Sequence, residues 1–314
     1  MSIRISLPAF TEDIDLQKAL FDTLNHTMLL SRLQKYGFRG IAYSWLESYL
    51  TNRCQYVYFN NEKSDMCPVT CGVPQGSLLG PMLFILYINN LCKVSDLLNC
   101  VLYADDTTLD LSGDNLEKLL SDRIKELSII KQWFDSNKLS LNKNKTKYII
   151  FGYRKREIIS ELKIEDVVLE RVNKITFLGV ILNHTLSWKP HIMHVLSKFS
   201  KSLAILHKVK YFLNTATLHI LYCSLIIPYL THCLEIWGHS YKSNTKPFFI
   251  LQKKAIRIVN HSSYNQSTKQ IFPKLRAITF LDLVDLSTGI FMFKVKKQSV
   301  PAKILSLFEI KVDN

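Results

Sequence analysis

The chain has 314 residues, of which 47% are hydrophobic and 21% charged, a composition that excludes a disordered protein and allows one large or two modest domains. Its net charge of +14 is uneven, since residues 1–110 carry 8 Lys/Arg and 11 Asp/Glu, while residues 111–314 carry 32 and 15. A slightly acidic first part followed by a basic second part indicates an acid-bearing site beside a track for a polyanion, although a basic surface that serves only solubility is the alternative.

Cysteines and apolar segments bear on where the protein works. Seven cysteines without a C-x-x-C pair do not make a disulfide framework, so we expect a reducing compartment. The start, MSIRISLPAFTED, lacks the apolar core of a signal peptide. The apolar stretch at 218–230 is too short to span a bilayer and contains Pro228, which predicts a buried helix pair or a kinked helix. We therefore expect an intracellular protein, cytoplasmic or nuclear and not secreted, without a membrane partner.

The first part of the chain reads as a mixture of helices and short strands. In chain order, the patterns predict a helix at 23–38, a helix at 40–52, a hairpin formed by 55–59 and 66–70, a fixed loop at 72–81 and a helix that begins with Pro81 in its first turn. The segment ISLPAFTEDI, before Asp15, predicts a poor strand because it contains Pro8 and two acids instead of alternating β-branched residues.

Later segments separate a mixed part from a helical part. The patterns predict a strand, a tight turn and a strand within 99–111, a long amphipathic helix at 114–134, and strands at 147–152, 164–170 and 175–182. From about Pro190 onward the periodicity is mostly helical. A boundary between an α/β part and an α-helical part is therefore expected near 185–190.

Asp105 and Asp106 are adjacent acids within the apolar segment LYADDTTL. Asp is common in tight turns, because its side chain bonds nearby backbone groups, and that role is the structural alternative. Asp15 follows an apolar residue and precedes a helix, so a third carboxylate can meet the pair. Three converging acids repel unless a divalent cation neutralises them, and hard oxygen ligands suit Mg²⁺. Two such ions can serve an in-line phosphoryl transfer.

The loop GVPQGSLLGP is fixed by its prolines and glycines. Its backbone N–H groups and Gln75 can therefore face a base or a sugar closely. A simple connection between a loop and a helix is the alternative interpretation.

Several segments in order resemble the reverse transcriptases of non-LTR retrotransposons, over about residues 12–182. They are IDLQKALFDTLNHTMLLSRL, YGFRGIAYSWLESYLTNRCQYV, CGVPQGSLLGPMLFILYINNL, LYADDTTL, LSLNKNKTKYIIFG and FLGVIL. The basic tail, with LHILYCSLIIPYLTHCLEIWG and LQKKAIRIV, resembles the region on the C-terminal side of the polymerase core in those elements. The resemblance implies an α+β fold: a polymerase palm with an antiparallel sheet and packed helices at 1–187, then a basic α-helical, thumb-like region at 188–314.

The resemblance also implies an activity, RNA-directed DNA synthesis by nucleotidyl transfer to a primer 3′-hydroxyl. Its implied cofactor is Mg²⁺ or Mn²⁺, and its implied partners are an RNA template, a DNA primer and deoxynucleoside triphosphates. Asp15, Asp105 and Asp106 match the catalytic, metal-binding carboxylates of the palm. The other matched residues are Tyr103 and Ala104, which shape the hairpin near the primer end; Gln75, Gly76 and Ser77, beside template and incoming nucleotide; Lys145, near the triphosphate; and Leu178 and Gly179, in the turn that grips the primer.

Three of these assignments have structural alternatives or departures from the family pattern. Lys145 is otherwise a surface lysine, and Leu178 with Gly179 is otherwise a plain strand turn. The family pattern D-x-x-K-A-F-D is here DLQKALFD, so the extra Leu20 moves the sugar-discriminating aromatic, Phe21, one position along. On a strand such a slip would reverse the direction in which the side chain faces, unless a local bulge absorbs the extra residue.

Only fourteen residues precede Asp15, whereas the fingers region of the family lies upstream of this acid. We therefore expect an N-terminally truncated reverse transcriptase whose activity is in question. The alternative function is a catalytically inactive fragment that binds nucleic acid through its basic part, and a further alternative is a remnant without function.

Aromatic and histidine residues of the basic part have both functional and structural interpretations. Five aromatics interleaved with lysines fit base stacking, although their helical spacing favours core packing: Tyr211, Phe212, Trp237, Phe248 and Phe249. Three histidines near Trp188 favour capping or packing over a metal site: His184, His191 and His194.

Overall fold

The computed structural model describes residues 9–14, 20–74, 76–104, 106–113, 115–142, 145–152, 162–164 and 167–308. The chain folds into two compact units. The first extends to Ile175 and includes His184–Leu186, whereas the second comprises Thr176–Asn183 and the chain from Ser187 onward. The second unit thus begins at Ser187, except that most of one earlier hairpin, at 176–183, also belongs to it.

A five-stranded sheet organises the first unit. Its strands, in spatial order, are β11 (Glu170–Arg171), β8 (Lys147–Phe151), β1 (Ala9–Ile14), β7 (Asp106–Ser112) and β6 (Asn99–Tyr103). β1 is antiparallel to both of its neighbours, β6 and β7 form an antiparallel hairpin, and β11 is parallel to β8. The fold is therefore α+β with a largely antiparallel sheet, as expected.

The central position of β1 corrects the prediction of a poor strand before Asp15. β1 forms ladders with β7 over six residue pairs and with β8 over five. Pro8 precedes the strand in sequence, so the missing proline N–H removes no hydrogen bond from either ladder. Pairing on both sides supplies the stability that the intrinsic propensity of AFTEDI lacks.

Helices cover the rest of the first unit. They are α1 (Leu20–Thr23), α2 (His26–Lys35), α3 (Gly40–Leu50), α4 (Leu79–Ile88) and α5 (Leu116–Ser136). Asn25 caps α2 by accepting from the N–H of Met28 at 3.1 Å, and Asn115 caps α5 by accepting from the N–H of Glu117 at 2.9 Å. Leu20–Thr23 is helical, and in a helix successive side chains are rotated by about 100° and not reversed as on a strand.

The core of the first unit contains the apolar faces of these helices and of the sheet. Its most buried side chains include Leu33, Phe84, Tyr87, Leu109 and Phe134. The hydroxyl of Tyr87 donates to the carbonyl oxygen of Asn137 at 2.7 Å, so that its polar end is satisfied within the core.

Short strands complete the first unit. β2 (Arg53–Gln55) pairs with β5 (Cys67–Val69), and β3 (Tyr58–Phe59) pairs with β4 (Glu62–Lys63), which confirms a hairpin in this region. A smaller pair consists of β9 (Lys163–Ile164) and β10 (Val167–Val168).

A hairpin and a set of helices make up the second unit. The hairpin strands are β12 (Lys174–Phe177), which begins in the first unit, and β13 (Val180–Asn183). The helices are α6 (Lys189–Val209), α7 (Thr215–Leu225), α8 (Ile227–Thr231), α9 (Leu234–Trp237), α10 (Lys242–Val259), α11 (Ile271–Lys274), α12 (Phe280–Lys296) and α13 (Ala302–Leu305). The stretch 218–230 is thus a helix pair, one of the two predicted forms.

Aromatic side chains form the centre of the second core. Trp237, Phe248 and Phe280 are fully buried, with ring centroids 5.0–6.1 Å apart. Core packing is therefore confirmed for Trp237 and Phe248. The same interpretation is wrong for Tyr211 and Phe212, which are 75% and 86% exposed just beyond the end of α6. Within the described part of the chain, no helix combines the length and the apolar character needed to cross a membrane.

Candidate active site

The β6–β7 hairpin places one of the predicted carboxylates at the edge of the sheet. Tyr103 and Asp106 form the last residue pair of the ladder, so the turn consists of two residues. Ala104 occupies the left-handed region at φ +52°, a conformation typical of the first turn residue in tight hairpins but costly for a residue with a Cβ. Tyr103 and Asp106 are exposed, whereas the next two residues of β7, Thr107 and Thr108, are buried.

Three strands bring their ends to this same edge. Ile14, the last residue of β1, is paired with Thr107, next to Asp106. On the other side of β1, Asp13 is paired with Lys147, two residues after Lys145. Lys145 is exposed, and its backbone N–H donates to the carbonyl oxygen of Asn142 at 3.1 Å. The residues next to the predicted acids, Ile14 and Asp106, therefore lie at the same edge of the sheet as Lys147, which follows the predicted triphosphate lysine by two residues.

Asp15, Gln75 and Asp105 lie outside the described residues, and Phe21 is described only as part of the backbone of α1. Asp106 supplies an exposed carboxylate, a donor type that fits a hard divalent cation. Among the described residues, no three His, Cys, Asp or Glu side chains form a group that could hold a metal ion.

The loop before α4 is fixed by bonds that the sequence patterns did not predict. The imidazole Nε2 of His26 donates to the carbonyl oxygen of Gly72 at 2.6 Å, and both groups are buried. The N–H of Gly72 donates to the carbonyl oxygen of Leu24 at 2.8 Å. Gly72 and Gly76 have positive φ values of +84° and +81°, which only glycine adopts without strain. The start of α2 therefore positions this loop.

Ser77 has a structural role within the loop. Its hydroxyl donates to the carbonyl oxygen of Pro74 at 2.8 Å and accepts from the N–H of Gly80 at 3.0 Å. A Cβ on Gly80 would approach the Ser77 hydroxyl oxygen to 3.1 Å, so a glycine allows this close turn into α4. Gly76 is different, because a Cβ there would meet no described atom within 4 Å. Gly76 is itself exposed.

Leu178 and Gly179 form the turn between β12 and β13. Their φ values of +46° and +83° match the tight hairpin turn in which both central residues are left-handed. The Nε2 of His232 donates to the carbonyl oxygen of Leu178 at 2.9 Å. A second histidine supports the same hairpin, because Nδ1 of the buried His191 accepts from the N–H of Ile181 at 3.2 Å. The packing interpretation of His191 is thereby confirmed, whereas the role of His232 was missed.

Comparison with known families defines the class of protein to which this fold and site belong. The profile of the family described as reverse transcriptase (RNA-dependent DNA polymerase) matches residues 9–182, more than half of the chain. The chain therefore belongs to the reverse transcriptase family, and it carries a reverse transcriptase domain of the retrotransposon type. This family generally uses a divalent metal ion.

Individual relatives narrow the comparison. The probable RNA-directed DNA polymerase from transposon BS of Drosophila melanogaster is 28% identical over 262 residues, covering 80% of this chain and 29% of the relative. The RNA-directed DNA polymerase from mobile element jockey of the same species is 25% identical over 269 residues, covering 82% and 29%. The chain thus spans under a third of the length of these relatives.

A solved structure of telomerase from Candida tropicalis, in complex with a fragment of telomeric RNA, matches with a TM-score of 0.46 and 14% identity. The match covers 87% of this chain and 41% of that one.

Proposed function

We propose that this chain acts as an RNA-directed DNA polymerase domain that adds deoxynucleotides to a primer 3′-hydroxyl on an RNA template. The observation that carries the proposal is the sheet edge at which Ile14 pairs with Thr107 and Tyr103 pairs with Asp106. Asp15 comes directly after Ile14 in sequence and Asp105 precedes Asp106. The strand register therefore supports a common site for the three carboxylates.

Asp15, Asp105 and Asp106 would hold Mg²⁺ or Mn²⁺, which supplies charge neutralisation at the transferred phosphoryl group. Tyr103 and Ala104 fix the direction of the hairpin, since a two-residue turn allows little freedom. Lys145, beside the same edge, would contribute positive charge to the triphosphate.

The remaining site residues are proposed to contact nucleotide, template or primer, or to support the residues that do. Gly76 leaves open space where a base or sugar can approach, Gln75 is its neighbour in sequence, and Ser77 acts by fixing the loop from within. Phe21 is proposed to lie at the incoming sugar, where an aromatic ring discriminates against a 2′-hydroxyl. Leu178 and Gly179 are proposed to contact the primer backbone through a turn whose shape His232 helps to fix.

Primer extension tests the proposal. The purified chain is incubated with an RNA template, a labelled DNA primer, deoxynucleotides and Mg²⁺, and compared with Asp105→Asn and Asp106→Asn. Both substitutions should abolish extension with little change in folding, because each replaces a carboxylate by its near-isostere. Asp96→Asn is the matched control, since Asp96 is an exposed acid in the loop before β6 and should keep full activity.

A second candidate function is nucleic-acid binding without catalysis, which the charge of the second unit favours. Between residues 189 and 308 the sequence contains seventeen Lys/Arg and three Asp/Glu. If the folded wild-type chain binds primer–template but extends nothing, polymerase activity is rejected for this chain and the binding function is retained.

A further inference from the structure

A groove between the C-terminal ends of α6 and α10 forms a basic concavity in the second unit. It has a volume of about 740 Å³, within the range of about 300–1,000 Å³ typical of ligand pockets. Its lining includes four cationic side chains and two tyrosines, namely Lys208, Lys210, Lys254, Arg257, Tyr211 and Tyr264. Among the described residues that line it, none is acidic. We call this surface the α6–α10 groove.

Electrostatics favour an anionic ligand in the α6–α10 groove. The sequences of α6 and α10 contain no Asp or Glu, so their basic side chains are not neutralised from their own helices. The acids nearest in sequence belong to other helices, Glu235 to α9 and Asp282 and Asp285 to α12, and none of them lines the groove. A concave surface with one sign of charge concentrates the field and attracts polyanions.

Aromatic rings at the rim distinguish the kind of polyanion. Tyr211 and Tyr264 are 75% and 74% exposed, which leaves most of each ring accessible to a ligand. The ammonium of Lys210 lies 4.8 Å from the centre of the Tyr211 ring, so a base stacked on the ring would lie beside a positive charge. Bases in a duplex are stacked on one another, whereas unpaired bases can stack on protein side chains.

A fixed loop closes one side of the α6–α10 groove. The Nε of Arg257 donates to the carbonyl oxygen of Gln266 at 2.7 Å, which orients the guanidinium against the segment that carries Tyr264. His261, also in the lining, has a left-handed φ of +49° at the end of α10 and turns the chain back over the helix. The cations and the tyrosines are thus held together around one cavity.

From this geometry we propose that the α6–α10 groove binds single-stranded nucleic acid, with phosphates on Lys208, Lys254 and Arg257 and unpaired bases on Tyr211 and Tyr264. The proposal deepens the second candidate function, because it names the site and the strandedness of the ligand. It does not depend on polymerase activity, and none of these residues has an assigned role in nucleotide transfer.

Equilibrium binding without deoxynucleotides tests the proposal on the full chain. The probes are fluorescein-labelled oligouridine RNA and oligothymidine DNA of about twelve nucleotides, within the roughly 4–16 nucleotides that one OB-fold, a common single-strand-binding fold, covers. Tyr211→Ala should weaken binding of the single strand about five-fold or more, whereas Tyr241→Ala should leave it unchanged. Tyr241 is a matched control because it is 82% exposed on the same unit but outside the groove.

A charge variant gives an independent readout. Lys254→Ala combined with Arg257→Ala should weaken binding and lower the slope of log affinity against log salt by about 1.4, since each phosphate contact on a single strand contributes about 0.7. The control, Lys294→Ala with Lys296→Ala on α12, removes the same charge from exposed positions outside the groove. It should lower the affinity and the salt slope less than the groove variant does. Circular dichroism melting verifies that each variant is folded.

Four outcomes would overturn the proposal. They are equal losses in groove and control variants, tighter binding of a duplex of the same sequence, no effect of Tyr211→Ala on a folded chain, and stronger groove-dependent binding to vesicles of phosphatidylserine and phosphatidylcholine. A difference in affinity between the two probes shows whether the groove prefers RNA or DNA. The binding assay contains no deoxynucleotides and does not measure extension, so a failure of polymerase activity remains distinct from a failure of this groove.

Discussion

His232 holds the turn residue Leu178 through a hydrogen bond of 2.9 Å, although 54 residues of chain separate them. The backbone at His232 is itself fixed, because the indole N–H of the buried Trp237 donates to the His232 carbonyl oxygen at 2.9 Å. A tight turn that is proposed to contact the primer is thereby tied to the aromatic core of the second unit.

Replacing His232 by alanine should lower the free energy of unfolding of the second unit by about 1 kcal/mol, the typical value of one hydrogen bond. Urea unfolding followed by tryptophan fluorescence measures this loss. His232→Gln should recover part of it, because its amide can also donate to Leu178. The control is His194→Ala on the exposed face of α6. Equal effects of His232→Ala and His194→Ala would show that the bond does not stabilise the turn.

Gly179→Ala should destabilise the β12–β13 hairpin by about 1–2 kcal/mol, the cost of a side chain in the left-handed region. Its new Cβ would also lie 3.1 Å from the His232 Nε2 atom. The double variant with His232→Ala should therefore lose less stability than the sum of the two single changes.

Gly289→Ala is the matched control for that substitution. Gly289 lies inside α12, where a Cβ would meet no described atom within 4 Å, so alanine should stabilise the helix by about 0.5–1 kcal/mol. Additive losses in the double variant of Gly179→Ala and His232→Ala would contradict a direct contact between the two turn-supporting positions.

His191 should make stability depend on pH. Burial, followed by the nearby His194, His232 and Lys198, lowers the pKa of His191 from 6.5 to about 4. Its Nδ1 accepts a hydrogen bond from Ile181 and must therefore be unprotonated. The unfolded chain binds the proton more readily between pH 6.5 and 4, so the stability is present above pH 6.5 and is lost as pH falls toward 4.

The expected loss over that range is roughly 3 kcal/mol, from the shift of the pKa. His191→Asn keeps a hydrogen-bond acceptor but cannot take up a proton, so the variant should not show this pH-dependent loss. Urea unfolding of the wild type and the variant at pH 7, 5.5 and 4.5 measures their free energies of unfolding. Subtracting one from the other cancels the contributions of the other titrating groups. Parallel pH profiles would refute the role of His191.

Gln252 should be among the most sensitive positions of the second core. Its side-chain amide donates to the Tyr222 hydroxyl and to the carbonyl oxygen of Ile278, both at 2.9 Å, and its oxygen accepts from the N–H of Phe280 at 2.7 Å. Gln252→Leu removes the partner of these three groups and should cost about 2–4 kcal/mol. Thermal unfolding measures it. The control, Gln298→Leu at an exposed position, should change stability by under about 0.5 kcal/mol.

Sequence patterns located the elements that depend on local chemistry. The turn before Asp106, the long helix α5 and the helix pair around Pro228 result from turn propensity, apolar periodicity and the missing proline N–H. The central strand β1 was misjudged, because its stability comes from partners about 100 and 140 residues away and not from its own composition. Non-local pairing of this kind leaves no periodic signal in a short segment.

The candidate site was predicted to a similar extent. The family motifs identified the carboxylates, the loop and the turn, and the fold brings Asp106 and the end of β1 to one edge. His26 and His232 were not predicted as supports, since each bonds a carbonyl oxygen more than forty residues away. A lone histidine does not reveal which distant backbone group it contacts.

The central place of β1 has a consequence for synthesis of the chain. Residues 9–14 leave the ribosome well before their partners at 107–112 and 147–151, which emerge roughly 100 and 140 residues later, delays of about 5–20 s and about 7–28 s at typical elongation rates. The strand can form neither ladder before β7 emerges, and it lacks the second ladder until β8 emerges. Chaperone capture of the nascent chain should therefore persist until β8 has emerged, because only then can the sheet close around this early strand.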